Sequence, residues 1–591
     1  MYTIAYFMKI SFYFLCLFFV GINTSLSQIN SGNFTGNLES TFQYLLEDSV
    51  IKATQPLEKG LLNSYMNVFY TQGNFKAGMR FESYLPRIQG YPANFDGTGV
   101  GMRYVGYDNG FIDITVGSFY EQFGAGLALR AYEDRALGYD NMLDGLKLVV
   151  RPHKGLVIKG VYGYQRYQFI EGRINHSPGI VRGFDGELNL NEAITKENFL
   201  KTKNGKQIQI TLGGSFVSKF QKDDNSTLIL PQNVGVYGGR AKLRFGKVYF
   251  DAEYMTKGQD PSQDNGYNYN PGHAAIANLG YSQKGLGILF SAKSVDNMSY
   301  RSDRTKQLQN VLINYLPSLN KTHTYNLVSS LYPYATQPVG EIAYQFEVLY
   351  TFKKNSKLGG KYGTSVNFNY SSAYRPMRHT SGLNPLDSTG ITYRTGLFDM
   401  SDSLYWQDFN FNISKKFTKN FNAILSYYNI ILNNDVASVT KEVGLIKTNV
   451  FVLELGYKIN SEQSLRAEFQ TLFVNRRDSL ENDVRMIDFG NKNTINYGDA
   501  RPVDKGDWAT LLVEYTINSS WFVALMDQYN FGNPDKKYRA HHPYATVGYV
   551  REATRVTASF GRQRAGLFCV GGVCRPVPAS YGLTLSVTHS F

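Results

Sequence analysis

From about Phe34 onward the chain alternates apolar and polar side chains with a period of two, the mark of β-strands that present one face to each of two environments. In Gly101 to Phe119 (GMRYVGYDNGFIDITVGSF) the turn Asp108-Asn109-Gly110 joins two such strands, because Asn-Gly tolerates the positive φ of a tight hairpin. Ile112, Ile114 and Val116 share one face, with Asp113 and Thr115 on the other. Around Gln72-Gly73-Asn74, Phe75, Ala77, Met79 and Phe81 oppose Lys76, Gly78, Arg80 and Glu82. Further turns fall at His153-Lys154-Gly155, Phe245-Gly246-Lys247 and Gln283-Lys284-Gly285. Later, Ile342, Tyr344, Phe346, Val348, Tyr350 and Phe352 alternate with Glu341, Ala343, Gln345 and Glu347, and Phe451, Leu453, Leu455 and Tyr457 with Glu454, Gly456 and Lys458.

These segments number about 24, with a range of about 20 to 26, and a short turn follows every second one. Charges on one face and hydrocarbon on the other is the reverse of a soluble β-sandwich. No stretch beyond residue 27 is long enough for a spanning helix, and only helices and closed barrels satisfy their backbone groups in hydrocarbon. The predicted fold is therefore all-β: a single antiparallel up-and-down transmembrane β-barrel with long extracellular connections partly filling its lumen. The final segment, YGLTLSVTHSF, reads as the closing strand, with Leu583, Leu585 and Val587 toward lipid and Thr584, Ser586 and Thr588 toward the lumen. Its terminal Phe591 resembles the carboxy-terminal signal that barrel assembly machinery reads, so that machinery and outer-membrane lipid are the expected partners. Taken alone, the segment also suits a soluble edge strand.

At the amino terminus Lys9 precedes an apolar run from Ile10 to Ile22, then Ser25-Leu26-Ser27. This pattern predicts a cleaved secretory signal over 1–27 and a barrel over 28–591, in the outer membrane of a Gram-negative cell. A retained anchor is the alternative, but the run is shorter than the ~20 residues needed to span. Cys16 lies inside the run, which argues against a lipoprotein acceptor. With strands starting at Phe34, no room is expected for an amino-terminal plug domain.

A wide cylinder must be filled, and the candidates are the long connections at Tyr120 to Leu143, Asn297 to Val339, Ser371 to Ser403 and Val474 to Asp507. The first carries Arg130, Glu133, Asp134, Arg135, Asp140 and Asp144 interleaved with Tyr132, Leu137, Tyr139 and Met142. Balanced charge with apolar spacers suits a paired network inside the lumen, and these charged residues, with Arg182 and Asp185, are the candidates for a luminal constriction. A solvated extracellular loop is the alternative.

The stretches FYEQFGAGLALRAYEDRALGYDNMLDG and CVGGVCRPVP resemble a family of large outer-membrane barrels from Bacteroidota known as a domain of unknown function. The resemblance covers the whole mature chain. It implies the fold and the location and brings no activity, substrate or catalytic residue.

Composition agrees with strands and turns: 44 Tyr, 39 Phe, 56 Gly and only 18% charged residues. The net charge of +13 would suggest nucleic acid in a cytosolic protein, but export and the lack of a recognition motif exclude that partner. Lys76, Arg80, Lys147 and Arg151 fall on inward faces and allow a mild anion preference; basic residues facing anionic headgroups are the equal alternative. Cys569 and Cys574 flank Val570-Gly571-Gly572-Val573. A Gly-Gly turn pairs the valines and sets the cysteines opposite each other, so a disulfide is expected in an exported protein, in a hairpin bracing an exterior loop tip. Metal binding is the alternative, without nearby His ligands to support it.

No metal, cofactor or catalytic motif is found. His176-Ser177 and His541-His542 are expected in loops as solvated residues, and Trp406, Trp508 and Trp521 in interface girdles rather than sugar platforms. Three functional readings follow. The first is a channel or uptake pore for a small hydrophilic solute with luminal loops as constriction, resting on the inward charges Arg80, Glu82, Asp251, Glu253, Arg466 and Glu468. The second is a non-conducting scaffold or partner subunit of an envelope assembly whose protein partner is unidentified. The third is a barrel-embedded hydrolase, which needs a nucleophile and base within hydrogen-bond reach.

Overall fold

Each strand pairs antiparallel with its sequence neighbours, and the last pairs with the first. In a computed structural model, which describes residues 32–194, 199–202, 205–382, 390–433, 445–476, 506–570 and 573–591, one 24-stranded sheet closes on itself. Its strands are β1 Asn33–Leu46, β2 Gly60–Gln72, β3 Phe75–Tyr84, β4 Gly97–Asp108, β5 Ile112–Phe119 and β6 Leu143–His153. Then come β7 Leu156–Ile170, β8 Arg173–Asn189, β9 Ile208–Phe220, β10 Asn233–Phe245, β11 Val248–Lys257 and β12 Gly272–Gln283. The ring continues with β13 Leu286–Asp296, β14 Gly340–Phe352, β15 Thr364–Pro376, β16 Met400–Lys416, β17 Phe421–Asn433 and β18 Leu445–Lys458. It ends with β19 Ser464–Arg476, β20 Trp508–Thr516, β21 Trp521–Tyr529, β22 His541–Arg551, β23 Thr554–Gln563 and β24 Ser580–Ser590.

Closure runs from Asn37 opposite Ser590 to Leu46 opposite Tyr581. At its end the Phe591 N–H donates to the Gly36 carbonyl and the Gly36 N–H returns the bond to Phe591, both at 2.9 Å. Gly36 is required by contact rather than by φ: a Cβ there would lie 2.5 Å from the Phe591 ring. The Asn109-Gly110 hairpin has the positive φ its sequence demands, 85° at Gly110.

Alternation settles which face meets which medium. Val105, Phe184 and Leu525 stand outward and exposed, while Arg80, Glu82, Lys219 and Glu341 stand inward and buried. A closed cylinder with an apolar outside and a polar inside is a transmembrane barrel of the outer-membrane type. Among the described residues no helix is long and apolar enough to cross a membrane. The turns after the even-numbered strands are mostly short, and the start of β1 and the end of β24 share their end of the barrel; the connection of residues 297–339, between β13 and β14, lies at the other.

Several expectations fall elsewhere. The leader at 1–27, residues 383–389 of the third long connection and 477–505 of the fourth lie outside the described residues. So do Gly571, Gly572 and the side chains of Cys569 and Cys574; the backbone register does place Cys569 opposite Cys574 and Val570 opposite Val573. His176 lies in β8, and His541 and His542 in β22, not in loops. Trp406 and Trp508 are inward and buried, so only Trp521 suits a girdle; Trp406 stacks on Tyr334 at 5.4 Å.

Leu525, at the middle of β21, tests the outward assignment. Leu525→Arg is expected to cost about 2–4 kcal/mol at mid-bilayer depth, measured by equilibrium unfolding in lipid, against a change within about 0.5 kcal/mol for the inward neighbour Ala524→Ser.

Candidate functional site

The connection 120–142 joins β5 to β6 and meets the barrel wall through buried charge. Alternation along β3 aims Arg80, Glu82 and Tyr84 inward, and β7 supplies Arg166. Arg80 donates from Nε to Glu82 at 2.7 Å, from Nη1 to Glu133 at 2.8 Å and from Nη2 to Asp140 at 2.8 Å. Arg166 forks onto Glu82, at 2.8 and 2.7 Å, and reaches Asp140 at 2.9 Å. Tyr84 donates to Glu82 at 2.8 Å and Tyr120 to Asp140 at 3.1 Å. Arg135 bridges Glu133, at 3.0 Å, to Glu39 of β1, at 2.6 Å, and lies over the Tyr65 ring. Three guanidinium groups thus face four carboxylates. Burial pushes the Glu133 carboxyl above its usual range, against the pull of Arg80 and with Asp140 adding to the rise.

Beside this cluster the same connection is apolar. Phe123, Leu127 and Leu129 are buried in one cluster with Val161, Val181, Val217 and Val236 of β7 to β10. Farther along these strands the inward face turns polar. Asp185 receives a bidentate pair from Arg240, at 2.7 and 2.9 Å, and the Ser215 hydroxyl at 2.6 Å. Glu253 accepts the Ala125 N–H at 2.7 Å, tying the connection to β11.

The second connection, 297–339, binds the first and then crosses to the far wall. The Arg130 N–H donates to Ile313 at 2.8 Å, and its guanidinium lies between the rings of Tyr132 and Tyr315. Beyond that point the segment bonds to strand after strand. Lys293 of β13 donates to the Pro317 carbonyl at 2.6 Å and Lys321 to Asn367 of β15 at 2.6 Å. His323 pairs with Asp408 of β16 at 2.7 Å, and Tyr325 donates to Glu454 of β18 at 3.3 Å. The Leu327 N–H reaches Gln470 of β19 at 3.0 Å, and Gln528 of β21 donates to Asn326 at 2.6 Å. At the rim, burial disfavours the charge of Asp260, yet Lys219 and Lys257 outweigh it and hold the carboxyl below its usual range.

The described flanks of the 566–577 hairpin touch both segments. Arg575 donates to Ala136 at 2.8 Å and to Gly90, and Arg564 before it reaches Ser330. The lumen is consequently asymmetric. Asp408, Asn410 and Gln470 are fully buried toward the long connections, whereas Lys242, at 46% side-chain exposure, and Glu514, at 38%, line an open vestibule toward the short turns.

Of the residues singled out in the sequence, Glu133, Arg135 and Asp140 come together in the 120–142 network, while Arg130 lies apart from it between Tyr132 and Tyr315. Asp134 caps a turn through the Leu137 N–H, and Asp185 lies on the neighbouring wall. Arg182 and Asp144 do not join them. Arg182 has the parity opposite to Asp185 and bonds Asn233 at 2.8 Å on the outward face of β8. Asp144, second residue of β6, also points outward, to Arg103 at 3.1 Å and His176 at 3.0 Å. A one-residue step reverses the face of a strand, and in both cases loop-like reasoning ignored that step. Arg166, Arg240, Asp408 and Gln470 went unmarked in the sequence; inward parity was a usable signal for the last three, whereas Arg166 shares the parity of the outward Tyr162 and Tyr164 and turns inward where the β7–β8 pairing shifts register. Among the described residues no group of three or more His, Cys, Asp or Glu side chains is placed to hold a metal ion.

Residues 7–591 match the family of unknown function DUF6029, and the chain belongs to that family. No curated protein matches it in sequence. Among solved structures it is similar to the siderophore receptor PiuA from Acinetobacter baumannii, at 11% identity and a TM-score of 0.37 over 94% of this chain and 82% of that one. It is also similar to a mutant of the ferric enterobactin receptor PfeA from Pseudomonas aeruginosa, at 10% identity and a TM-score of 0.41 over 95% and 82%. A third is the outer membrane protein opdK from Pseudomonas aeruginosa, at 10% identity and a TM-score of 0.32 over 84% and 99%.

Removing one member of a buried ion cluster strands its partners. Arg166→Ala is expected to cost about 3–5 kcal/mol and to open 120–142 to limited proteolysis, read by fragment masses of the folded protein in detergent.

Proposed function

We propose that this DUF6029 barrel is an outer-membrane transport protein for a small hydrophilic solute, with the connection 120–142 as its constriction. The observation that carries this reading is that the connection is held to the wall by a cluster of charges. A buried pair contributes little net stability relative to apolar packing, and its best-attested use is to set one register or to switch between two. Arg80 and Arg166 hold Asp140 in one arrangement and leave an alternative in which water or a charged solute takes its place. The open vestibule below, with Lys242, Arg466 and Glu514, supplies the polar half of the route.

A sealed, non-conducting scaffold is favoured by a different observation, the layer of Phe123, Leu127 and Leu129 against the valines of β7 to β10. Apolar packing of that kind has no polar substitute. Planar-bilayer recording separates the two readings. The intact protein is expected to pass little or no current, Arg80→Ala with Arg166→Ala to flicker open, and deletion of 120–142 to give large steady steps. If the deletion variant inserts and folds, as shown by a heat-modifiable shift on electrophoresis, but carries no current, the transport reading fails and the scaffold stands.

A further inference from the structure

A second feature of the lumen lies where the segment 297–339 returns to β14, and it is a matter of charge accounting around a cavity of about 330 Å³ lined by Gln337, Arg375, Arg378 and Tyr405 among others. Two carboxylates lie beside it, and both are engaged. Glu341 pairs with Lys293 at 2.6 Å and accepts the Tyr334 hydroxyl at 2.6 Å and the Gln337 N–H at 2.9 Å. Asp296 takes Arg378 at 2.8 Å and the Thr395 hydroxyl at 2.9 Å. Arg378 spends a further donor on the Val339 carbonyl, at 2.6 Å, and lies over the Tyr393 ring.

Three cations, Lys293, Arg375 and Arg378, therefore meet two carboxylates. The surplus charge resides on Arg375, which has no acidic partner among the described residues and remains exposed to the cavity. Arg375, the penultimate residue of β15, lies at the end of the barrel that carries the long connections, where the pairing with β16 shifts register on both sides of Tyr374, and it lines the cavity. Tyr405 of β16 lines the same cavity and brings a side chain with a neutral donor.

A guanidinium presents a planar fork of donors that fits a carboxylate or phosphate, and it stays charged at any physiological pH. The cavity volume sits at the small end of ligand sites. We propose that this cavity binds a small oxyanion, with Arg375 as the bidentate anchor and Tyr405 as a second donor. The proposal deepens the transport reading by giving the solute a charge. It is tested by binding rather than by current, so the two fail separately.

The experiment is titration calorimetry on the full-length protein in detergent, with succinate and inorganic phosphate as separate probes. Saturable binding of at least one is expected, and the stronger of the two identifies the oxyanion. R375Q, at an exposed position with no packing role, is expected to weaken that binding more than tenfold, since a charge-assisted pair is lost, and R375K to weaken it less because charge remains without the fork. Absence of saturable binding for both probes, or an affinity in R375Q within tenfold of the original, overturns the proposal.

Discussion

Every peptide group in a membrane-spanning strand must find its partner within the protein, because the hydrocarbon offers none. In this chain that constraint is met by pairing β24 with β1 and by the reciprocal bonds of Gly36 and Phe591. Closure then dictates the rest. Twenty-four strands form a cylinder wider than its own wall side chains can fill, and the space inside has to be occupied by other parts of the chain.

The occupants are two connections with complementary chemistry. The first carries acids to meet Arg80 and Arg166 and apolar residues to meet the valines of β7 to β10. The second threads from β13 toward β21 and takes one or two hydrogen bonds from most strands it passes. Together they bury the wall side chains nearest the long connections, whereas Lys242 and Glu514, nearer the short turns, keep part of their surface exposed. A barrel packed in this way holds its plug by a mixture of exchangeable polar contacts and apolar contacts that have no polar substitute.

The wall was legible in the sequence because a period of two is enforced on every strand by the difference between lipid and water. Arg80, Glu82, Glu253 and Glu468 could be placed inward from parity alone, and the closing strand from its alternation. The connections had no such repeat. Composition marked Arg130, Glu133, Arg135 and Asp140 as a network, but it could not supply their wall partners Arg166 and Glu39, which lie far away in sequence. It also drew in Asp144 and Arg182, where strand parity, not proximity to the segment, sets the direction of the side chain. The expectation that charges line the whole inside was too simple. Val217 and Val236 face inward, and only the packing of Phe123 and Leu127 against them explains why.

Hydrogen–deuterium exchange on the protein in lipid nanodiscs tests most directly whether residues 120–142 are packed within the cylinder. Bonded amides such as those of Ala125, Arg130 and the buried Ala131 are predicted to remain protected for hours, at the level of the wall strands beside them. Exchange of the whole segment within seconds, at the rate of an exposed loop tip, would contradict the account.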